Sequence, residues 1–212
     1  MAGGAVRLTP ELLLRAYAAG IFPMGEGRDS PRIDWIDPVM RGIMPLDGLR
    51  LSRSLRASIR RKDYEIRINH DFVGTVQNCA ARDETWINDQ IISLYAALHR
   101  AGHAHSVEVW DGEMIGGLYG VSLGGAFFGE SMFSRRTDAS KIALAWQVHR
   151  LRAGGFTLLD TQFLTPHLQS LGGVEVTRAE YHAMLALALE VRADFLPEGY
   201  APDPLAVSQQ RS

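Results

Sequence analysis

The sequence predicts an α+β fold in which a mixed sheet is flanked by helices. Two apolar runs, Met114–Val121 and Ala126–Phe133, are separated by Gly124-Gly125. This spacing predicts a β-hairpin, because glycine reaches positive φ in a tight turn without steric cost. From residue 106 onward the predicted order is strand, strand, strand, helix, strand, helix, strand. A meander that leads into a helix and a further strand is typical of a mixed α+β layer.

The first 40 residues are predicted to form a small N-terminal domain. Thr9 is a favourable N-cap and Pro10 suits the first position of a helix, which Gly20 ends. A polar loop is expected at 25–31 and a short strand at 33–36. The larger domain is expected to span residues 41–205, and residues 206–212 are expected to form a loose tail.

The stretch 50–62 predicts a basic amphipathic helix. It reads RLSRSLRASIRRK and contains six basic residues and no acidic residue. At roughly 100° per residue, the apolar positions 51, 55 and 59 share one face. Arg53, Arg56 and Arg60 fall together on the opposite face, with Arg61 at its edge. A solvated helix face and a helix that contacts phosphates are both open interpretations, and the lack of acids favours the second.

Periodic apolar patterns and glycine stops predict the remaining elements. Strands are expected at 64–68, 106–110, 156–159 and 174–176. Helices are expected at 72–81, 89–100, 139–152, 166–171 and 178–191. Gly102, Gly154-Gly155 and Gly172-Gly173 end three of these helices.

Composition limits the classes of protein to which the chain can belong. Of its 212 residues, 46% are hydrophobic and 22% are charged, which is typical of a globular protein. We expect no membrane segment, because no apolar run approaches the roughly 20 residues that a membrane helix needs. The single cysteine, Cys79, cannot form an internal disulfide, and with the lack of a signal-peptide pattern this predicts a cytoplasmic protein. The net charge of −2 requires any nucleic-acid contact to come from a local patch.

Three polar residues lie at or near strand ends that flank the predicted helix 139–152. Asp160 and Gln162 follow one strand, and Glu130 lies on a neighbouring run. Polar groups at strand ends are where sheets with flanking helices usually keep their chemistry. The pattern is compatible with a cap on the following turn, and also with an acidic site that holds an amine or a basic side chain.

Other chemistry is less well supported by the sequence. A metal site is disfavoured, because no Cys or Asp cluster accompanies the three histidines His99, His103 and His105. Ser131 and Cys79 lack a paired His and acid at a spacing typical of a nucleophile. The glycines between 116 and 125 allow either tight strand packing or the close approach of a ligand. Trp86, among polar neighbours, is either a core residue or a surface plate for stacking a base.

The predicted core resembles that of the Gcn5-type N-acyltransferase superfamily. More specifically, residues 8 to 181 resemble the leucyl/phenylalanyl-tRNA–protein transferases. The resemblance rests on the segments GIFP (20–23), TWI (85–87), GHAHSVEVW (102–110), GESMFS (129–134), ASK (139–141) and LDTQF (159–163). The family transfers Leu, Phe or, less well, Met from aminoacyl-tRNA to the N-terminal Arg or Lys of a protein, which marks that protein for N-end-rule degradation. It uses the Gcn5-type fold without acetyl-CoA, so the resemblance implies no cofactor and no metal.

The resemblance also implies roles for single residues. Asp160 and Gln162 match the catalytic pair of the family, and Glu130 matches its motif glutamate. Trp86 matches the tryptophan that stacks on adenosine, and Met24 stands where some members have tryptophan. The amino-acid pocket would include Leu118, Phe127, Gly129 and Leu144. The tRNA acceptor stem would contact Arg53, Arg56, Arg60 and Arg61.

Two alternative functions remain at this point. An acetyl-CoA-dependent N-acetyltransferase needs a glycine-rich pyrophosphate loop, and the corresponding loop, 134–138, has no glycine. A non-catalytic module that binds basic N-termini would explain the acidic site, but neither the basic helix nor Trp86.

Overall fold

The computed structural model describes residues 8–30, 32–200 and 203–205. The tail predicted at 206–212 lies outside the described residues. The helices are α1 (Pro10–Ala18), α2 (Arg53–Arg61), α3 (Phe72–Ala80), α4 (Asp89–Arg100), α5 (Ala139–Ala153), α6 (Pro166–Ser170) and α7 (Arg178–Leu189). The strands are β1 (Phe22–Gly25), β2 (Ile33–Ile36), β3 (Met40–Ile43), β4 (Glu65–Ile68), β5 (Ala104–Asp111), β6 (Glu113–Leu123), β7 (Ala126–Ser134), β8 (Leu158–Gln162) and β9 (Val174–Thr177).

Seven of these strands form one mixed sheet in the order β4-β5-β6-β7-β8-β3-β9, and β1 and β2 form a separate hairpin. Neighbours in the large sheet are antiparallel except for β7 and β8, which are parallel. Pairing between β7 and β8 stops at Phe128 and Asp160, although β7 continues to Ser134. The two strands therefore separate beyond this point and leave room for a site between them.

Helices cover both faces of the large sheet. Tyr17 of α1, Tyr95 of α4 and Tyr181 of α7 belong to the core on one face, together with residues of α3. The core on the other face is formed by α2, α5 and α6, and it includes Leu118 of β6 and Phe127 of β7. Because side chains alternate along a strand, adjacent β7 residues such as Phe127 and Phe128 enter different cores.

The predicted α+β fold with a mixed sheet and flanking helices is confirmed. Two strands, β1 and β3, are not predicted from the sequence. The pattern of β3 is hidden because Met40–Ile43 contains a buried arginine and a glycine instead of an apolar alternation. The strand predicted at 156–159 is also misplaced, since β8 spans Leu158–Gln162 and Phe156 lies in the turn before it. Apolar character alone does not locate the edge of a strand whose last three residues are polar.

Candidate active site

A cavity of about 440 Å³ lies where β7 and β8 separate. Its walls come from both faces of the sheet, from α5 and from the loop before α4. All six residues predicted to bind a substrate line it, namely Met24, Trp86, Leu118, Phe127, Gly129 and Leu144. Glu130 and Gln162 line it as well, whereas Asp160 does not. The structure thus brings an apolar pocket and two of the three predicted catalytic side chains to one place.

Gln162 is directed toward Glu130 by an unusual backbone conformation. Its φ of 63° lies in the left-handed region, so the chain turns at the end of β8 instead of continuing as a strand. The Gln162 amide donates from Nε2 to Glu130 Oε1 at 3.0 Å. Because Nε2 makes this contact, the carbonyl oxygen of the amide remains as an acceptor.

Glu130 is buried among two tyrosine hydroxyl groups. Tyr17 Oη lies 2.6 Å from Glu130 Oε1, and Tyr95 Oη lies 2.7 Å from Glu130 Oε2. The two phenol oxygens are themselves only 2.6 Å apart. Since each phenol has one proton, both cannot donate to an ionised carboxylate and also hydrogen-bond to each other.

A proton on Glu130 resolves this shortage. The carboxyl group and the two phenols then carry three protons, which is enough for a hydrogen bond at each of their three contacts. The electrostatics agree with this arrangement, because burial raises the pKa of Glu130 to about 7, partly offset by hydrogen bonds from Tyr17, Tyr95 and Gln162. Glu130 therefore changes its charge near neutral pH.

Asp160 is fully engaged with protein groups. Arg41 binds both of its oxygens, with Nε donating to Oδ1 at 2.9 Å and Nη2 donating to Oδ2 at 2.6 Å. The Tyr181 hydroxyl donates to Oδ2 at 2.8 Å, and the backbone N–H of Gln162 donates to Oδ1 at 2.7 Å. Asp160 is 0% exposed, so its position favours holding the turn at Gln162 over direct contact with a substrate.

Sequence reasoning missed Arg41, which is 1% exposed. Its guanidinium group lies 4.5 Å from the ring centroid of Phe22 and 4.3 Å from that of Tyr181, and it donates to the carbonyl oxygen of Gly20 at 2.9 Å. Tyr17, Tyr95 and Tyr181 were missed too, because they occupy ordinary apolar positions of their helices. An arginine within the short run VMRGIM is the one signal that pointed to a buried cation.

Trp86 lies between this cavity and a second, more polar one of about 530 Å³. Met24, Arg82 and Ser131 border both cavities as well. Arg82 donates to the Ser131 hydroxyl at 2.9 Å and to the carbonyl oxygen of Met132 at 2.6 Å. Trp86 is half-buried, which leaves part of the indole ring available to a ligand at the boundary.

The predicted basic helix is α2, and Ser52 caps its first turn. Arg53, Arg60 and Arg61 are exposed, whereas Arg56 is half-buried and donates from Nε to the carbonyl oxygen of Leu51 at 3.1 Å. Leu55, Ser58 and Ile59 are buried beneath them. The Ser58 hydroxyl contacts Asp138, which precedes α5, and Ser140 of α5 lines the cavity. The basic face therefore lies on a helix that packs beside the cavity wall.

Several residues that raised the question of nucleophilic or metal chemistry are engaged in packing and hydrogen bonding, namely Cys79, Ser131, His99 and His105. Burial raises the pKa of the Cys79 thiol to about 12, which disfavours a thiolate nucleophile. Ser131 accepts a hydrogen bond from an arginine. His105 is buried against the ring of Phe195, and His99 contacts the carbonyl oxygen of Ala104.

No helix in the described part of the chain is long and apolar enough to cross a membrane.

Comparisons with known proteins identify the family to which the chain is related. Residues 43–186 match the family model "Leucyl/phenylalanyl-tRNA protein transferase", and residues 7–39 match the model for the N-terminal domain of the same proteins. The leucyl/phenylalanyl-tRNA--protein transferase of Cereibacter sphaeroides (strain ATCC 17025) is 64% identical over 97% of this chain and 96% of its own. The enzyme of that name from Ruegeria sp. (strain TM1040) is 59% identical, and the match covers 97% of this chain and 98% of the Ruegeria enzyme.

A solved structure supports the fold. The crystal structure of FemX superimposes with a TM-score of 0.52 at 13% sequence identity, and the match covers 79% of this chain and 66% of FemX, just under two thirds of its length. At this identity the likeness concerns the fold alone.

Proposed function

Because the chain belongs to the leucyl/phenylalanyl-tRNA–protein transferase family, we propose that it moves leucine, phenylalanine and, less readily, methionine from aminoacyl-tRNA to N-terminal arginine or lysine. The chain is an aminoacyltransferase that uses aminoacyl-tRNA and a protein as its substrates. The identity of the donor amino acids and of the acceptor residues is the proposed part. Acceptors modified in this way would enter N-end-rule degradation in the cytoplasm, where charged tRNA is found.

The observation that supports the proposal is a single cavity that has an apolar wall at one end and polar side chains at the other. Leu118, Phe127 and Leu144 form an apolar wall suited to an unbranched Cβ followed by apolar bulk. Glu130 and Gln162 meet the same cavity from the opposite face of the sheet. An aminoacyl ester bound with its side chain against the apolar wall would present its carbonyl group near Gln162.

The chemistry asks little of the protein beyond orientation. The acceptor amine forms a C–N bond with the ester carbonyl, the C–O bond to the ribose breaks, and the proton lost by nitrogen ends on the released ribose oxygen. An N-terminal amine has an unperturbed pKa near 8, so a useful fraction is already neutral at pH 7.5. Holding the amine and the ester together is then the main contribution.

Gln162 would orient the attacking amine. A primary amide is too weak a base to take a proton, but its carbonyl oxygen can accept a hydrogen bond from the amine. The bond from Gln162 Nε2 to Glu130 would leave the carbonyl oxygen of the amide for the amine. Glu130 would add negative charge near a cationic acceptor when it is ionised, and Asp160 would hold the turn that presents Gln162.

The tRNA would be bound outside the cavity. The exposed arginines of α2 offer donors to the phosphates of the acceptor stem, and Arg56 contributes from its half-buried position beside them. Trp86 would stack on the terminal adenine, and Met24 borders the same two cavities. In this arrangement the apolar pocket would select the amino acid, and contacts with the tRNA would supply most of the binding affinity.

The position of Asp138 argues against an acetyl-CoA-dependent enzyme. Asp138 precedes the first turn of α5, where such an enzyme binds a pyrophosphate at a helix N-terminus. Its carboxylate lies at this end of the helix and pairs with Lys141 at 2.9 Å, so a pyrophosphate bound there would compete with Asp138 for the lysine and for the helix end.

Transfer of radiolabelled leucine from charged tRNA tests the proposal. One peptide carries N-terminal Arg, the control peptide carries N-terminal Ala, and no coenzyme A is present. We expect label on the Arg peptide alone. Equal label on both peptides, or none with leucine, phenylalanine and methionine as donors, would contradict the proposed specificity.

A further inference from the structure

The apolar side of the cavity contains a buried amide without a protein partner. Gln147 of α5 is 1% exposed and lines the cavity. Within the described ranges, neither its Nε2 nor its Oε1 has a hydrogen-bond partner. A buried amide without hydrogen bonds lowers the stability of a protein. A group of the bound ligand would therefore be a favourable hydrogen-bond partner for Gln147.

The position of Gln147 on α5 places it deep in the cavity. Ser140, Leu144 and Gln147 are spaced i, i+4 and i+7, so they form one stripe along the helix, and all three line the cavity. Ser140 lies in the first turn of α5, and Gln147 lies about 10 Å farther along the helix axis. Gln147 is also less exposed than Ser140, at 1% against 9%.

Gln147 is on the side of the sheet that would receive the donor side chain. Its helix packs with Leu118 and Phe127 in one core, whereas Glu130 contacts Tyr17 and Tyr95 of the core on the other face. The amide is therefore separated from the groups proposed to orient the acceptor amine. It lies where the tip of an amino-acid side chain would end.

On the basis of the proposed function, we propose that Gln147 determines specificity among the donors by contacting the tip of the bound side chain. A thioether sulfur is a weak acceptor, and the face of a phenyl ring accepts an N–H group. Methionine and phenylalanine thus give the amide a partner, whereas leucine offers only methyl groups. The amide favours the first two donors relative to a pocket with an apolar residue in its place.

The test measures kcat/KM for transfer of Leu, Phe and Met from their charged tRNAs to the peptide with N-terminal Arg. For each donor, Gln147→Leu is compared with the wild-type chain, so that differences among tRNA bodies cancel. We expect leucine transfer to rise by roughly three- to tenfold relative to methionine and phenylalanine transfer. Gln147→Met, which nearly keeps the volume of the side chain, is expected to shift the ratios in the same direction.

Gln77→Leu is the matched control, because Gln77 is exposed on α3 and lines neither cavity. Its donor ratios are expected to equal those of the wild-type chain. Unchanged ratios in both Gln147 variants, or an equal loss with all three donors, would overturn the inference while leaving the proposed function intact. A wild-type chain that uses none of the three donors would instead overturn the proposed function, and this inference with it.

Discussion

Arg41 and Asp160 form a bidentate ion pair that is almost completely removed from solvent. The side chains are 1% and 0% exposed, and the shorter of the two contacts is 2.6 Å. The pair joins β3 to β8, and Asp160 in turn accepts a hydrogen bond from the backbone of Gln162. The buried ion pair thus holds the turn that presents Gln162 to the cavity, and it does so without contacting a substrate.

Arg41→Ala is expected to lower the free energy of unfolding by about 3–5 kcal/mol, because it leaves a buried carboxylate without its counter-charge. Denaturant unfolding of the two proteins measures the difference. Arg32→Ala is the control, since Arg32 pairs with Asp34 at 65% and 49% exposure, and exposed pairs contribute less than about 1 kcal/mol. A decrease for Arg41→Ala no larger than that of the control would contradict the structural role.

Gln162→Ala is expected to lower kcat by about ten- to hundredfold, because the amine loses the group that orients it. Affinity for charged tRNA should stay within about twofold of the wild-type value, since Gln162 is not part of the basic face. Single-turnover transfer and a filter-binding assay separate the two effects. Gln169→Ala, at an exposed position of α6, should change neither quantity. A variant with normal kcat would rule out the orienting role.

Glu130 predicts a pH dependence of stability. Its pKa of about 7 in the folded chain lies above the ordinary value of 4.5, so the folded state binds more protons between these two values. The stabilisation is complete below about pH 4.5 and is lost as the pH rises through 7. The phenols of Tyr17, Tyr95 and Tyr119, which face this carboxyl, do not titrate here, because burial raises their pKa values well above the usual range.

Denaturant unfolding of the wild-type chain and of Glu130→Gln between pH 4.5 and 8 measures this effect. The free energy of unfolding of the wild-type chain should fall with rising pH relative to that of the variant. Parallel curves for the two proteins would show that Glu130 has no raised pKa.

Arginines of α2 are expected to act through phosphates. Arg53→Ala with Arg60→Ala should weaken binding of charged tRNA and lower the slope of log K against log [salt] by about one unit for each phosphate that is no longer bound. Binding measured at several salt concentrations gives the slope. Arg152→Ala, at an exposed position near the end of α5, serves as the control and should leave the slope unchanged. A uniform decrease of affinity at all salt concentrations would argue against binding to phosphates.

Trp86→Ala is expected to raise KM for charged tRNA by about tenfold or more, because stacking on a base contributes about 1–3 kcal/mol. Steady-state transfer at varied tRNA concentration gives KM. Trp35 is the comparison residue, since it is 40% exposed on β2 and borders neither cavity. If Trp35→Ala raised KM as much, the effect would not come from stacking beside the cavity.

The sequence predicts the parts of the site that local patterns encode. Glycine stops and apolar periodicity place α5 to within one residue of its end, and the motif resemblance selects Glu130 and Gln162. The sequence does not predict Arg41 as the partner of Asp160, because the two residues are 119 positions apart. In addition, an isolated arginine usually lies at the surface. The contact of Tyr17 with Glu130, at a separation of 113 positions, is hidden for the same reason, since a tyrosine on an apolar helix face is ordinarily a core residue.

The surroundings of Arg41 also determine when the site can form during synthesis. Its guanidinium group contacts Gly20 before it in the chain, and Asp160 and Tyr181 far after it. A nascent chain that has left the ribosome only as far as α4 contains the cation without its carboxylate. Contacts of such long sequence separation form late, because a long loop must close first. Truncated translation products therefore lack the assembled turn at Gln162, and we expect competence for transfer to arise only when nearly the whole chain has been made.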